Sequence, residues 1–73
     1  MLHPAKTQAA LELMENCRAL LRGKEPDVQA AVLAELVSIF LVGHPPEYRE
    51  EALARHVETV RKYIEINAAA LAR

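Results

Sequence analysis

The sequence has few of the residues on which several protein classes depend. Its single cysteine, Cys17, excludes a disulfide framework within the chain and fits a reducing, cytoplasmic setting. It holds two glycines and no tryptophan, and it contains neither a glycine-rich phosphate loop nor a nucleophile elbow. We therefore predict a protein that is not an enzyme and that binds no cofactor.

No stretch of the chain combines the length and apolarity of a membrane span. The most apolar run, residues 28–42, is shorter than the roughly 20 residues that a crossing helix needs. It also contains Gln29, Glu35 and Ser38. The N-terminal residues lack the basic start and apolar centre of a signal peptide. We expect a cytoplasmic protein without membrane contacts.

Charge is nearly balanced, with a formal net charge of −1 at pH 7. Residues 1–24 carry four basic and two acidic side chains. Residues 25–48 carry no basic and four acidic side chains, and residues 49–73 carry five basic and four acidic ones. No third of the chain has the basic excess that is typical of a nucleic-acid-binding surface. A small DNA- or RNA-binding regulator is therefore a secondary hypothesis, with Arg49, Arg55, Arg61 and Lys62 as its contacts.

Proline and glycine divide the chain into three segments. Prolines at 4, 26 and 45–46 each precede a long stretch with helical periodicity, and proline suits the first helical turn, where N–H groups are unpaired. Gly23 and Gly43 stand just before the later prolines, where a left-handed residue commonly ends a helix. Thirteen alanines also favour helix. The pattern predicts a single domain, residues 1–73, that is an all-α three-helix bundle with helices at about 4–22, 26–42 and 46–71.

The first and third predicted helices are amphipathic. Helix 1 gathers Leu13, Met14 and Cys17 on one side, where we expect Cys17 to be a small buried residue rather than a reactive thiol. Helix 3 has apolar residues at alternating three- and four-residue steps, which is the spacing of a coiled coil, and Asn67 occupies one of these positions. The apolar members of this seam are Leu53, Val57, Val60, Ile64 and Leu71.

The second predicted helix is apolar on almost every side. We expect Val32 and Leu36 to face helices of the same chain and Leu41 to lie on the opposite side, at the back. Two amphipathic helices do not easily enclose a third, and small domains that lack core often associate. We therefore predict a homodimer whose interface residues are Ala34, Val37, Ser38, Leu41, Val57, Val60, Ile64 and Leu71.

Three polar residues form a candidate site of their own: Glu35, His56 and Tyr63. A carboxylate on an apolar helix is a feature of some active sites, but a Glu that reaches the helix edge or pairs with a base is the favoured interpretation. His56 and Tyr63 flank the seam of helix 3 and are expected to be packing residues. The histidine spacing predicts no metal site. His44, with Glu47 three residues later, is expected to cap the third helix.

The leading functional hypothesis is a non-enzymatic protein–protein interaction or regulatory module that acts as a homodimer. Another protein could also bind through helix 2 or helix 3. The small nucleic-acid-binding regulator is the second hypothesis. A small-ligand or metal sensor built on Glu35, His56 and Tyr63 is the third.

Overall fold

The computed structural model describes residues 2–72, which are helical almost throughout. Three α-helices, α1 (Pro4–Leu21), α2 (Pro26–Val42) and α3 (Arg49–Leu71), are joined by short turns. A short 3₁₀ helix, Pro46–Tyr48, leads directly into α3, and residues 2–72 contain no strand. The all-α fold with three helices that the sequence predicts is confirmed. The third helical segment begins at 46 as predicted, but its first turn is 3₁₀ rather than α-helical.

The ends of α1 follow from the residues that flank it. His3 caps the N-terminus, because its Nδ1 accepts a hydrogen bond from the N–H of Ala5 at 3.1 Å. At the other end Arg22 has left the helical backbone conformation, with ψ of 131°. Gly23 then adopts φ of +78°, a left-handed conformation that glycine reaches without steric cost. The predicted left-handed residue at Gly23 is confirmed.

Gly43, which follows the last residue of α2, does not have the left-handed conformation of Gly23. The prediction that it is left-handed is wrong, because among residues 2–72 only Gly23 has a positive φ. A β-carbon at Gly43 would lie 3.3 Å from the carbonyl oxygen of Phe40, which is tighter than an ordinary contact. The N–H groups of Gly43 and His44 donate to the carbonyl oxygens of Ile39 and Leu41 at 3.2 and 3.0 Å. The last turn of α2 is therefore closed in ordinary backbone conformation, without a left-handed residue.

The capping role of His44 also differs from the prediction. Pro45 is the N-terminal cap of the 3₁₀ helix and no side chain caps it, so the predicted capping box with Glu47 is not formed. The ring of His44 instead belongs to the end of α2, where Nδ1 lies 3.0 Å from the carbonyl oxygen of Phe40. Because a carbonyl oxygen only accepts, Nδ1 is the donor of this bond.

The chain divides into two compact units, Met1–Leu33 and Ala34–Arg73. In the first unit Gln29 donates from Nε2 to the carbonyl oxygen of Leu21 at 2.8 Å, which ties the end of α1 to the start of α2. In the second unit the ring of Phe40 on α2 lies 5.7 Å from the ring of His56 on α3. The assignment of residues 1–73 to one domain stays a prediction.

No described residue is buried in the single chain. Cys17 is exposed, as are Leu13, Met14 and Leu20, so the expected burial of Cys17 is wrong for the single chain. The half-buried residues are Ala10, Leu21 and Gln29 in the first unit and Val37, Leu41, His44, Arg49, Ala52, Leu53 and His56 in the second. The apolar surface of the helices is therefore largely free for contacts outside the chain.

Candidate interaction surface

The better covered side of α2 is not the one expected from the sequence. Val37 and Leu41 are half-buried in the second unit, whereas Val32, Leu36 and Phe40 are exposed. The expectation that Leu41 lies on the uncovered back of the helix is wrong for the single chain. Its participation in a subunit contact stays a prediction, and a substitution at Leu41 would disturb the chain itself.

Ala34 and Ser38, four residues apart on α2, form a strip of small residues. Ala34 and Ser38 are both exposed. The hydroxyl of Ser38 donates to the carbonyl oxygen of Glu35 at 2.8 Å, so its hydrogen-bonding capacity is used within the helix. A helix can approach this strip closely without leaving the Ser38 donor unpaired.

The seam of α3 is exposed over most of its length. Leu53 is half-buried, but every described residue from Val57 onward is exposed. The predicted interface residues Val57, Val60 and Ile64 belong to this stretch, and Leu71 at its end is 87% exposed. This part of α3 presents an apolar surface that nothing in the described chain covers.

The three residues of the predicted polar site do not share one pocket. His56 lines a pocket beside Phe40, but neither Glu35 nor Tyr63 lines it. Glu35 and Tyr63 are exposed. A sensor that needs all three side chains in one pocket therefore gains no support.

The pocket that His56 lines has a volume of about 390 Å³ and lies in the second unit. Several of its lining residues carry rings. The rings of Phe40 and His44 pack edge to face, with their centroids 4.9 Å apart and an interplanar angle of 77°. Sequence reasoning did not identify this cluster, although the four-residue spacing of Phe40 and His44 on a helix could have suggested it. The lining residues are Phe40, His44, Tyr48, Glu51, Ala52, Arg55, His56 and Thr59.

Several polar groups of the pocket are bonded within the protein. Arg55 donates from Nη2 to Oε1 of Glu51 at 2.6 Å, and the hydroxyl of Thr59 donates to the carbonyl oxygen of Arg55 at 3.1 Å. Over residues 2–72, no three His, Cys, Asp or Glu side chains converge where they could hold a metal ion. The side chains of Arg55, Glu51 and Thr59 are therefore engaged with one another or with the backbone of α3.

Arg49 has a structural role that the sequence did not reveal. Its Nε donates to the carbonyl oxygen of His44 at 3.0 Å, and its Nη2 donates to that of Val42 at 3.3 Å. The guanidinium thus satisfies carbonyls at and beyond the C-terminus of α2, where a positive charge also complements the helix dipole. Arg49, one of the four side chains considered for nucleic-acid contact, is therefore engaged within the chain, whereas Arg55 pairs with Glu51 at the exposed surface.

Comparison with models of protein families, with curated proteins and with solved structures gives no match. None of the helices in residues 2–72 is both long enough and apolar enough to span a membrane.

Proposed function

We propose that this protein is a non-enzymatic interaction or regulatory module that works as a homodimer. The observation that carries the proposal is the absence of any buried residue among residues 2–72, in a sequence that is 52% hydrophobic. Apolar side chains lose their stabilising effect when they stay in water. A chain of this composition gains most by covering its apolar faces with another chain.

Exposed apolar side chains in each unit support the same proposal. In the first unit Leu20 is 73% exposed, and in the second unit Ile64 and Leu71 are 61% and 87% exposed. Covering such side chains at a contact is favourable.

A second copy is the partner that requires no further assumption. Two-fold dimers are the commonest oligomers, and a two-fold contact uses the same surface on both subunits. The small strip at Ala34 and Ser38 and the exposed seam of α3 supply surface of the required kind.

Sedimentation equilibrium tests the proposal directly. We expect the purified protein to sediment at twice the monomer mass of 8.1 kDa at micromolar concentrations, and to dissociate reversibly on dilution. A mass of one chain at every concentration up to several hundred micromolar would contradict the homodimer.

A further inference from the structure

Aromatic and imidazole rings line one pocket of the second unit. We call the pocket that His56 lines the ring pocket; its volume is about 390 Å³. Four of its eight lining residues carry rings, namely Phe40, His44, Tyr48 and His56. All eight belong to the unit Ala34–Arg73, so this unit forms the pocket by itself.

The ring pocket exists because a small residue stands between two rings. Tyr48, Ala52 and His56 follow one another at four-residue spacing, which places them on the same side of α3 and of the turn that leads into it. Ala52 is half-buried, and its methyl group leaves a gap that a larger side chain would fill. Phe40 lines the pocket from α2, with its ring 5.7 Å from that of His56. Rings from both helices therefore bound the gap at Ala52.

His44 supplies a hydrogen-bond acceptor whose position is fixed. Its ring packs edge to face with that of Phe40, and its Nδ1 donates to the carbonyl oxygen of Phe40 at 3.0 Å. A neutral imidazole with its proton on Nδ1 carries a lone pair on Nε2. Because two contacts hold the ring in place, a ligand that donates to Nε2 would not have to order this side chain on binding.

The charged groups of the ring pocket compensate each other. Arg55 and Glu51 both line it, and Nη2 of Arg55 lies 2.6 Å from Oε1 of Glu51. An anionic ligand would have to compete with the carboxylate of Glu51 for the guanidinium. A cationic ligand would be repelled by Arg55. The pocket therefore favours a ligand without net charge.

Rings, one fixed acceptor and balanced charge together define a ligand class. Aromatic ligands pack well against aromatic side chains, and the pocket volume lies near the lower end of the range of roughly 300–1,000 Å³ that small-molecule sites occupy. We propose that the ring pocket binds an uncharged, planar aromatic molecule of the indole or phenol class, whose N–H or O–H group donates to Nε2 of His44. This inference goes beyond the proposed homodimer and does not rest on it.

Titration of the isotopically labelled protein with indole, followed by nuclear magnetic resonance, tests for the site. We expect saturable shifts of the signals of residues that line the ring pocket, with a dissociation constant on the order of 1 mM or below. No saturable shift up to about 5 mM indole would overturn the inference. The same result would follow if a second copy covered the pocket, and it would leave the homodimer standing.

Two relatives of indole test the ligand class. N-methylindole lacks the N–H group and should bind at least about fivefold more weakly, because the bond to Nε2 of His44 is lost. Indoleacetate keeps the N–H group and adds a negative charge, and it should bind no more tightly than indole. N-methylindole that binds as well as indole would contradict the role of the donor, and tighter binding of indoleacetate would contradict the preference for an uncharged ligand.

Two alanines of α3 provide a matched test of the location. Ala52 lines the ring pocket, whereas Ala54 is exposed and does not line it. Ala52→Leu should raise the dissociation constant for indole by about tenfold or more, because the larger side chain fills the gap between the rings. Ala54→Leu should leave it within about twofold of wild type. Circular dichroism checks that both variants remain helical, and equal effects of the two substitutions would overturn the location.

His44→Phe tests the acceptor even if Ala52→Leu does not fold. Phenylalanine keeps a ring at this position but has no acceptor nitrogen. Indole and N-methylindole should then bind this variant equally well, to within about twofold. A preference for indole that persists at the wild-type ratio would show that its N–H group does not bond to His44, and would overturn the proposed contact.

Discussion

Arg49 shows how much of the local stability depends on one side chain. Its guanidinium donates to the carbonyl oxygens of His44 and Val42, and these groups have no partner within α2 because they lie at and beyond its end. Helix ends commonly rely on glycine or water for this purpose. Here a residue from the first turn of the next helix does so, which also fixes the turn between α2 and α3.

Replacing Arg49 should therefore destabilise the protein more than replacing another arginine of α3. We expect Arg49→Met to lower the free energy of unfolding by about 1–2 kcal/mol, because two charge-assisted hydrogen bonds are lost from a half-buried site. Arg55→Met removes only an exposed ion pair with Glu51 and should cost about 0.5 kcal/mol or less. Urea titrations followed by circular dichroism, at one fixed protein concentration, measure both. Equal losses would contradict the capping role of Arg49.

At the scale of the element, α2 is the helix whose orientation the sequence predicted least well. Both of its sides are apolar, so periodicity alone does not distinguish the side that packs within the chain from the side that stays free. The structure half-buries Val37 and Leu41 and exposes Leu36 and Ile39. The choice between the two sides follows from the position of α3 within the second unit.

Two isomeric side chains on α2 make this difference testable. Leu41→Glu should lower the free energy of unfolding by about 2 kcal/mol, because a carboxylate would replace a half-buried aliphatic group. Ile39→Glu, at a side chain that is already 59% exposed, should change it by about 0.5 kcal/mol or less. The comparison uses a monomeric background such as Ile64→Glu, so that subunit association does not contribute. If Ile39→Glu is the more damaging change, the covered side of α2 has been assigned incorrectly.

For the whole molecule, folding and association are expected to be coupled. Since no described residue is buried in the single chain, much of the apolar stabilisation must come from the second copy under the proposed function. Thermal stability should then depend on concentration. We expect the midpoint of thermal unfolding to rise by about 5 °C for each tenfold increase in protein concentration.

Differential scanning calorimetry over a hundredfold range of concentration would measure this rise. Ile64→Glu is the matched control, since a variant that remains monomeric should unfold at a midpoint independent of concentration. A wild-type midpoint that does not move would show that the single chain is stable by itself.

Local chemistry was enough to predict the helices of this protein. Prolines at the first turns, Gly23 after α1 and the helical periodicity between them predicted α1 and α2 to within one residue. These signals act over four or five residues along the chain, where the sequence itself dictates which groups are neighbours. The exposed seam of α3 could be identified for the same reason, because a three- and four-residue spacing places its members on one side of any helix.

Tertiary structure alone decided which of these surfaces are covered. The half-burial of Leu41, the approach of His56 to Phe40, and the bonds from Arg49 to the end of α2 are features that helical periodicity does not predict. Gly43 and His44 were assigned the wrong caps because both belong to the end of α2, where the N–H of Gly43 and the ring of His44 bond to carbonyl oxygens of α2 itself. Contacts between helices depend on the turn that connects them. Where a helix has two equally apolar faces, the turn determines which face packs within the chain and which face stays free for a partner.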